Sequence, residues 1–177
     1  QSIQTVSENT IYVGASDRRL AKFENLFPIP RGVSYNAYVI LDEKTALLDT
    51  ADASVGAQFL ENVAAALDGR KLDYLIVDHM EPDHAAMIEA VLVRWPDLRL
   101  VVNAKTLPML KMYFPTDNAA IDDALVVKEG DTLDLGKHKL TFVMAPMVHW
   151  PEVMMTFDTT TGTLFSADAF GTFGALE

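Results

Sequence analysis

The sequence predicts an α/β fold in which helices cover β-sheets. Two observations carry this. Short apolar or β-branched runs bounded by turn residues recur along the whole chain, as strands require. Between them lie a few longer segments with apolar residues at helical spacing. A chain of 177 residues, half of them hydrophobic, is also long enough for one domain with a sizeable core. A four-layer α/β/β/α sandwich is one arrangement that fits, although periodicity alone does not select it.

The elements follow in chain order. Thr10–Val13 reads as the first strand. Ala37–Leu41 and Ala46–Leu48 flank Asp42-Glu43-Lys44, which reads as a hairpin turn. Ser54 is expected to cap a helix over Val55–Leu67, with Gly69 as its stop. Phe59, Val63, Ala66 and Leu67 give that helix its buried stripe. Tyr74–Val77 is a buried strand, and Asp83 is expected to cap a second helix running to about Arg94, just before Pro96. Leu98–Val102 is a strand and Ala104–Tyr113 a third helix. Four more strands, Leu125–Lys128, Lys139–Met144, Val153–Phe157 and Thr163–Phe165, complete the set, with a turn at Thr159–Gly162. No internal repeat, low-complexity tract or linker interrupts residues 1–177, which read as one domain.

Composition excludes several function classes. The formal net charge of −11 argues against nucleic acid and anionic membranes as partners. No apolar run approaches the ~20 residues of a membrane span, and no signal peptide is visible. The chain has no cysteine, so disulfides, iron–sulfur clusters and thiolate metal sites are excluded. That absence fits a cytoplasmic protein.

The most informative stretch is His79-Met80-Glu81-Pro82-Asp83-His84, where four potential metal ligands fall within six residues. It follows the strand Tyr74–Val77 after the single residue Asp78, so rigid backbone would hold the ligands in place. Two carboxylates among two histidines lean toward iron or manganese over an all-nitrogen zinc site. His149 and Asp168 each follow the C-terminal end of an expected strand, where a sheet delivers side chains into a shared cleft. Taken singly, each residue has an ordinary reading. Asp83 could be only a helix cap, Asp168 a turn residue and Glu81 a solvated side chain. Together they form a pattern, because three of the four histidines lie beside carboxylates at strand ends. The fourth, His138, sits between two lysines in a turn after Gly136 and reads as exposed and not a ligand.

The pattern His79-x-Glu81-x-Asp83-His84, then His149, then Asp168 resembles the metallo-β-lactamase-like domain of flavodiiron proteins, also called A-type flavoproteins. The common metallo-hydrolase motif has His where Glu81 stands, and this replacement marks the diiron branch. The segments Phe27–Asn36, Leu47–Thr50, His149–Glu152 and Asp168–Gly174 match as well, so the resemblance covers nearly the whole chain. It implies an αββα sandwich and a non-haem diiron centre. His79, Glu81 and His149 would hold one iron, Asp83 and His84 the other, and Asp168 would bridge both. Asp49 resembles an aspartate that orients a ligand histidine; the alternative is a plain strand-ending turn residue. Trp150 and Tyr35 are expected to pack near the site.

The family pattern needs one further histidine after Asp168 and a C-terminal flavodoxin-like domain that binds FMN. This chain has neither, so the domain is expected to be C-terminally incomplete. The resemblance implies reduction of dioxygen to water, of nitric oxide to nitrous oxide, or of both. Electrons would come from FMN in a flavodoxin-like domain, or from a flavoprotein or rubredoxin-type donor, within a head-to-tail homodimer. This chain alone would turn over slowly. Two alternatives stand beside this reading. One is a zinc hydrolase of the same superfamily, against which Glu81 argues because a carboxylate lowers the metal's Lewis acidity. The other is a metal-poor scaffold domain.

Overall fold

The structure, a computed structural model, describes residues 2–114 and 119–176; the two ends of the expected domain, Gln1 and Glu177, fall outside them. Eight strands come first: β1 (Gln4–Ser7), β2 (Thr10–Tyr12), β3 (Ala15–Asp17), β4 (Lys22–Phe23), β5 (Phe27–Pro28), β6 (Val33–Tyr35), β7 (Tyr38–Leu41) and β8 (Thr45–Leu48). Helix α1 (Gly56–Leu67) follows a single turn of 3₁₀-helix. Strand β9 (Tyr74–Ile76), helices α2 (Pro82–Ala85) and α3 (Ile88–Arg94), strand β10 (Arg99–Asn103) and helices α4 (Thr106–Tyr113) and α5 (Ala119–Asp122) form the middle. Strands β11 (Leu125–Val127), β12 (Thr132–Asp134), β13 (Lys139–Met144), β14 (Met154–Asp158) and β15 (Thr163–Phe165) close the chain.

Seven strands form one sheet in the order β1-β2-β7-β8-β9-β10-β11, and four form a second in the order β12-β13-β14-β15. The large sheet is parallel from β8 to β11, with helices in the crossovers. The small sheet is antiparallel throughout. Two cores result, and side-chain alternation along the central strands builds both. Leu47, Leu75, Leu100 and Val102 face the helices, whereas Ala46, Leu48, Ile76 and Val101 face the small sheet. That double burial explains why the parallel strands read as continuous apolar runs. The helices' buried hydrophobic side chains, among them Phe59, Ile88 and Leu110, belong to the first core. The second core is made of strand residues and Leu135. Helix layer, large sheet and small sheet are thus stacked in that order, three successive layers of the expected αββα sandwich. Among the described residues no helix is long and apolar enough to cross a membrane.

Four local expectations are corrected. Asp52, not Ser54, caps the turn leading into α1, because its carboxylate accepts the Ser54 N–H at 2.8 Å. Asp83 does not cap its helix: Glu81 occupies that position without a capping side-chain bond, and Pro82 opens the helix. The expected single helix over this stretch is two. The His84 carbonyl is taken by the Thr50 N–H at 2.8 Å and the Thr50 hydroxyl at 2.6 Å. The ladder therefore breaks before Ile88, and α3 starts afresh. His138 is buried, not exposed. Its Nδ1 lies 2.8 Å from Asp158 Oδ2, and its N–H donates to Asp42 Oδ2 at 2.6 Å.

Candidate metal centre

The carboxyl ends of β8 and β9 open onto one edge of the large sheet, and the loops after β13 and β15 reach the same place. Asp49 follows β8, and Asp78 and His79 follow β9. The turn into α2 then carries Glu81, Asp83 and His84 past that edge. Asp168 is aimed by Ala167, whose φ of 48° is left-handed and costs a non-glycine residue roughly 1 kcal/mol.

All six expected ligands converge. His79, Glu81, His149 and Asp168 each offer an atom within 4.8 Å of the others, and Asp83, His84 and Asp168 form a second such group. His149 Nε2 lies 2.9 Å from Glu81 Oε2 and 3.0 Å from Asp168 Oδ2. His79 Nε2 lies 3.1 Å from the same Glu81 oxygen and 3.4 Å from Asp168 Oδ2. On the other side, His84 Nε2 lies 2.8 Å from Asp168 Oδ1 and 3.8 Å from Asp83 Oδ2. Asp168 therefore presents one oxygen to each group. His149 and His79 enter the same cleft, with ring centroids 5.3 Å apart.

The donors suit cations. Asp83 Oδ1 is buried and has no hydrogen-bond partner. Glu81 is buried too, so the reading of it as a solvated side chain fails. The carboxylates and imidazoles perturb each other strongly. Burial alone would raise Asp168, but hydrogen bonds from His79 and His84 hold it far below the usual carboxylate range. Burial alone would lower His79, but bonds to Asp168, Glu152 and Glu81 raise it to about 10. His84 is raised in the same way, against its burial, by Asp168 and Asp49. Asp83 is pushed up to about 6, chiefly by burial. Protons thus sit where positive charge is wanted, and metal ions of higher charge would displace them.

A surrounding shell holds the ligands. Asp49 Oδ2 lies 3.0 Å from His84 Nδ1, and its other oxygen accepts the Asp78 N–H at 2.7 Å. Asp49 is therefore more than a turn residue. Trp150 packs edge-on against the His79 ring at 5.3 Å. Tyr35 is buried in the helix-side core, and that burial pushes its phenol up to about 12, so it stays neutral. Both placements fit packing.

Residues 33–177 match the family described as "ODP family beta lactamase". The chain belongs to this family. Over 169 residues it is 38% identical to a putative diflavin flavoprotein A 1 of Thermosynechococcus vestitus, covering 94% of this chain and 28% of that one. It is 38% identical over 170 residues to the anaerobic nitric oxide reductase flavorubredoxin of Klebsiella pneumoniae, covering 94% of this chain and 34% of the relative. The chain thus spans about a third or less of the length of these relatives. Rubredoxin oxygen:oxidoreductase from Desulfovibrio gigas superposes with a TM-score of 0.93 at 31% identity, over 99% of this chain and 43% of that one. A flavodiiron protein from Giardia intestinalis superposes at 0.90 and 27% identity, over 100% of this chain and 42% of that one.

Within this ODP-family domain, sequence reasoning assigned no role to Glu152, Asn103, Thr50 or Asp78. Thr50, Glu152 and Asn103 hydrogen-bond to the segments that carry the ligands, and the Asp78 N–H donates to Asp49. Thr50 and Glu152 lie in segments that carry the family resemblance, but that likeness gives them no role; beyond it, the signal of all four is a polar residue near a strand end, which many turn residues share.

Proposed function

We propose that this domain holds a pair of non-haem irons through His79, Glu81, Asp83, His84, His149 and Asp168. It would serve as the reducing centre of an oxygen or nitric oxide reductase fed by FMN. One observation carries the reading: Asp168 directs Oδ1 to His84 at 2.8 Å and Oδ2 to His149 at 3.0 Å. A carboxylate placed so can bridge two cations and screen their repulsion. The donor set, carboxylate-rich and free of thiolate, favours iron over zinc. Glu81 adds an anion where a histidine would leave a stronger Lewis acid.

When bound, a ferrous pair supplies electrons and open positions for reducing a small diatomic molecule. The chain's own residues do the rest. Glu81 and Asp168 neutralise charge, Asp49 orients His84, and Trp150 walls off His79 from solvent. The first group offers four donors and the second three, so the second has room for a further donor or for substrate. The names of the relatives, a nitric oxide reductase and an oxygen oxidoreductase, support both diatomic substrates. Their flavoprotein and rubredoxin names support a flavin or rubredoxin-type electron donor. A head-to-tail homodimer in the cytoplasm fits this reading.

The test is anaerobic loading with ferrous iron and zinc in competition. Oxygen and nitric oxide consumption is then followed with a reduced flavoprotein as donor. Iron retention with gas consumption supports the proposal. Preferential zinc binding with esterase activity would overturn it.

A further inference from the structure

Glu152 lies outside both ligand groups, yet its side chain is as buried as any in the site. Its Oε1 is 2.8 Å from His79 Nδ1 and accepts the Met80 N–H at 2.9 Å. Both side chains of the His79–Glu152 pair are 0% exposed. The Glu152 carbonyl in turn accepts the Asn103 side-chain amide at 2.6 Å. The Asn103 oxygen is fixed as well, because it accepts the N–H groups of Lys105 and Thr106 at 2.8 and 3.0 Å at the start of α4. Glu152 is therefore held at its backbone carbonyl through Asn103 and α4, and at Oε1 through His79 and the backbone of the His79 loop, while its buried Oε2 has no hydrogen-bond partner.

We infer that Glu152 is a positioning residue for the metal centre, holding the His79 proton on Nδ1 so that Nε2 faces the metal as a lone-pair donor. The inference rests on the iron-centre reading above. An imidazole can carry its proton on either nitrogen, and the partner of one nitrogen decides the role of the other. An ionised carboxylate accepts and cannot donate, so it admits only the Nδ1–H form. Nε2 is then left pointing at Glu81 and Asp168, the two carboxylates of its own metal group. The negative charge behind the ring also makes Nε2 more basic and lowers the potential of the metal it binds. Asp49 stands in the same relation to His84 at 3.0 Å. Each metal position would then have one histidine backed by a carboxylate. The partners of His149 described above, Glu81 and Asp168, both meet it at Nε2.

Two variants separate positioning from packing. Glu152→Gln keeps an oxygen acceptor for His79 and Met80 but removes the charge. Glu152→Ala removes both. The intact protein is loaded anaerobically with ferrous iron. Iron affinity, the midpoint potential of the iron pair and thermal stability are then measured. The expected result is a stably folded E152Q with a raised potential and iron affinity weakened on the order of 10-fold, and about 10–100-fold weakening in E152A. A purely structural role would lower thermal stability in both variants and leave the E152Q potential unmoved, which overturns the inference while the iron centre stands. If the unsubstituted protein takes up no iron, the centre itself is refuted and this role falls with it.

Discussion

Glu81 separates the reductase reading from the hydrolase reading at a single side chain. It is buried, and one of its oxygens lies 3.1 Å from His79 and 2.9 Å from His149. Replacing it with histidine removes one negative charge from a group that otherwise holds only one other carboxylate, Asp168. Glu81→His is therefore expected to shift metal preference toward zinc and to weaken iron binding on the order of 10-fold or more. Metal analysis after competitive loading checks this, and an unchanged iron preference would count against the role given to Glu81. Asp83 and His84 were legible in the sequence as a compact motif. The role of Glu152 was not, because it lies 73 positions along the chain from His79 and only the fold brings them to 2.8 Å.

At the scale of elements, the break between α2 and α3 shapes the second ligand group. Thr50 causes it by capturing the His84 carbonyl through both its N–H and its hydroxyl. The hydroxyl also accepts the Met87 N–H at 3.3 Å. Thr50→Val is nearly isosteric and deletes both hydroxyl bonds. It is expected to cost about 1–3 kcal/mol because buried polar groups lose partners. It should also loosen metal binding at the Asp83/His84 group more than at the His79 group. Denaturant unfolding and site-resolved metal titration would show this, and equal loss at both groups would contradict it. The central strands were readable because burial on both faces leaves an apolar run, as in Leu47–Leu48 and Leu75–Val77. The short strands β3 to β6 were not, since two or three residues cannot display a period. The stretch over residues 83–94 predicts one continuous helix, whereas the structure has α2 and α3. What breaks it is a distant threonine.

At the scale of the whole molecule, the metal-free protein should behave as one that needs protons in place of metal. Asp83 is raised to about 6 and His79 to about 10. A raised pKa in the folded state gives stability that is fully present below the unfolded value and lost as pH rises through the folded value. For Asp83 that loss runs from the ordinary carboxyl value of 3.8 through about 6, and for His79 from the ordinary imidazole value of 6.5 through about 10. Asp168 acts in the opposite sense, with a lowered pKa whose contribution is lost as pH falls below 3.8. Metal-stripped protein is thus expected to melt at progressively lower temperature from mildly acidic to alkaline pH. Metal-loaded protein should resist that decline, because the metal replaces the protons. Melting curves of stripped and loaded protein across this range check it, and a flat profile for the stripped form would contradict it.

The central claim is that Asp168 joins two cation positions, and iron stoichiometry in the Asp168→Asn variant tests it most directly. The amide keeps the shape of the side chain but loses its charge and one acceptor oxygen. Loaded anaerobically beside the unsubstituted protein, the variant is expected to lose iron from both positions, with the unsubstituted protein retaining a pair. A variant that still holds the pair, or that loses iron from one position alone, would contradict the bridge.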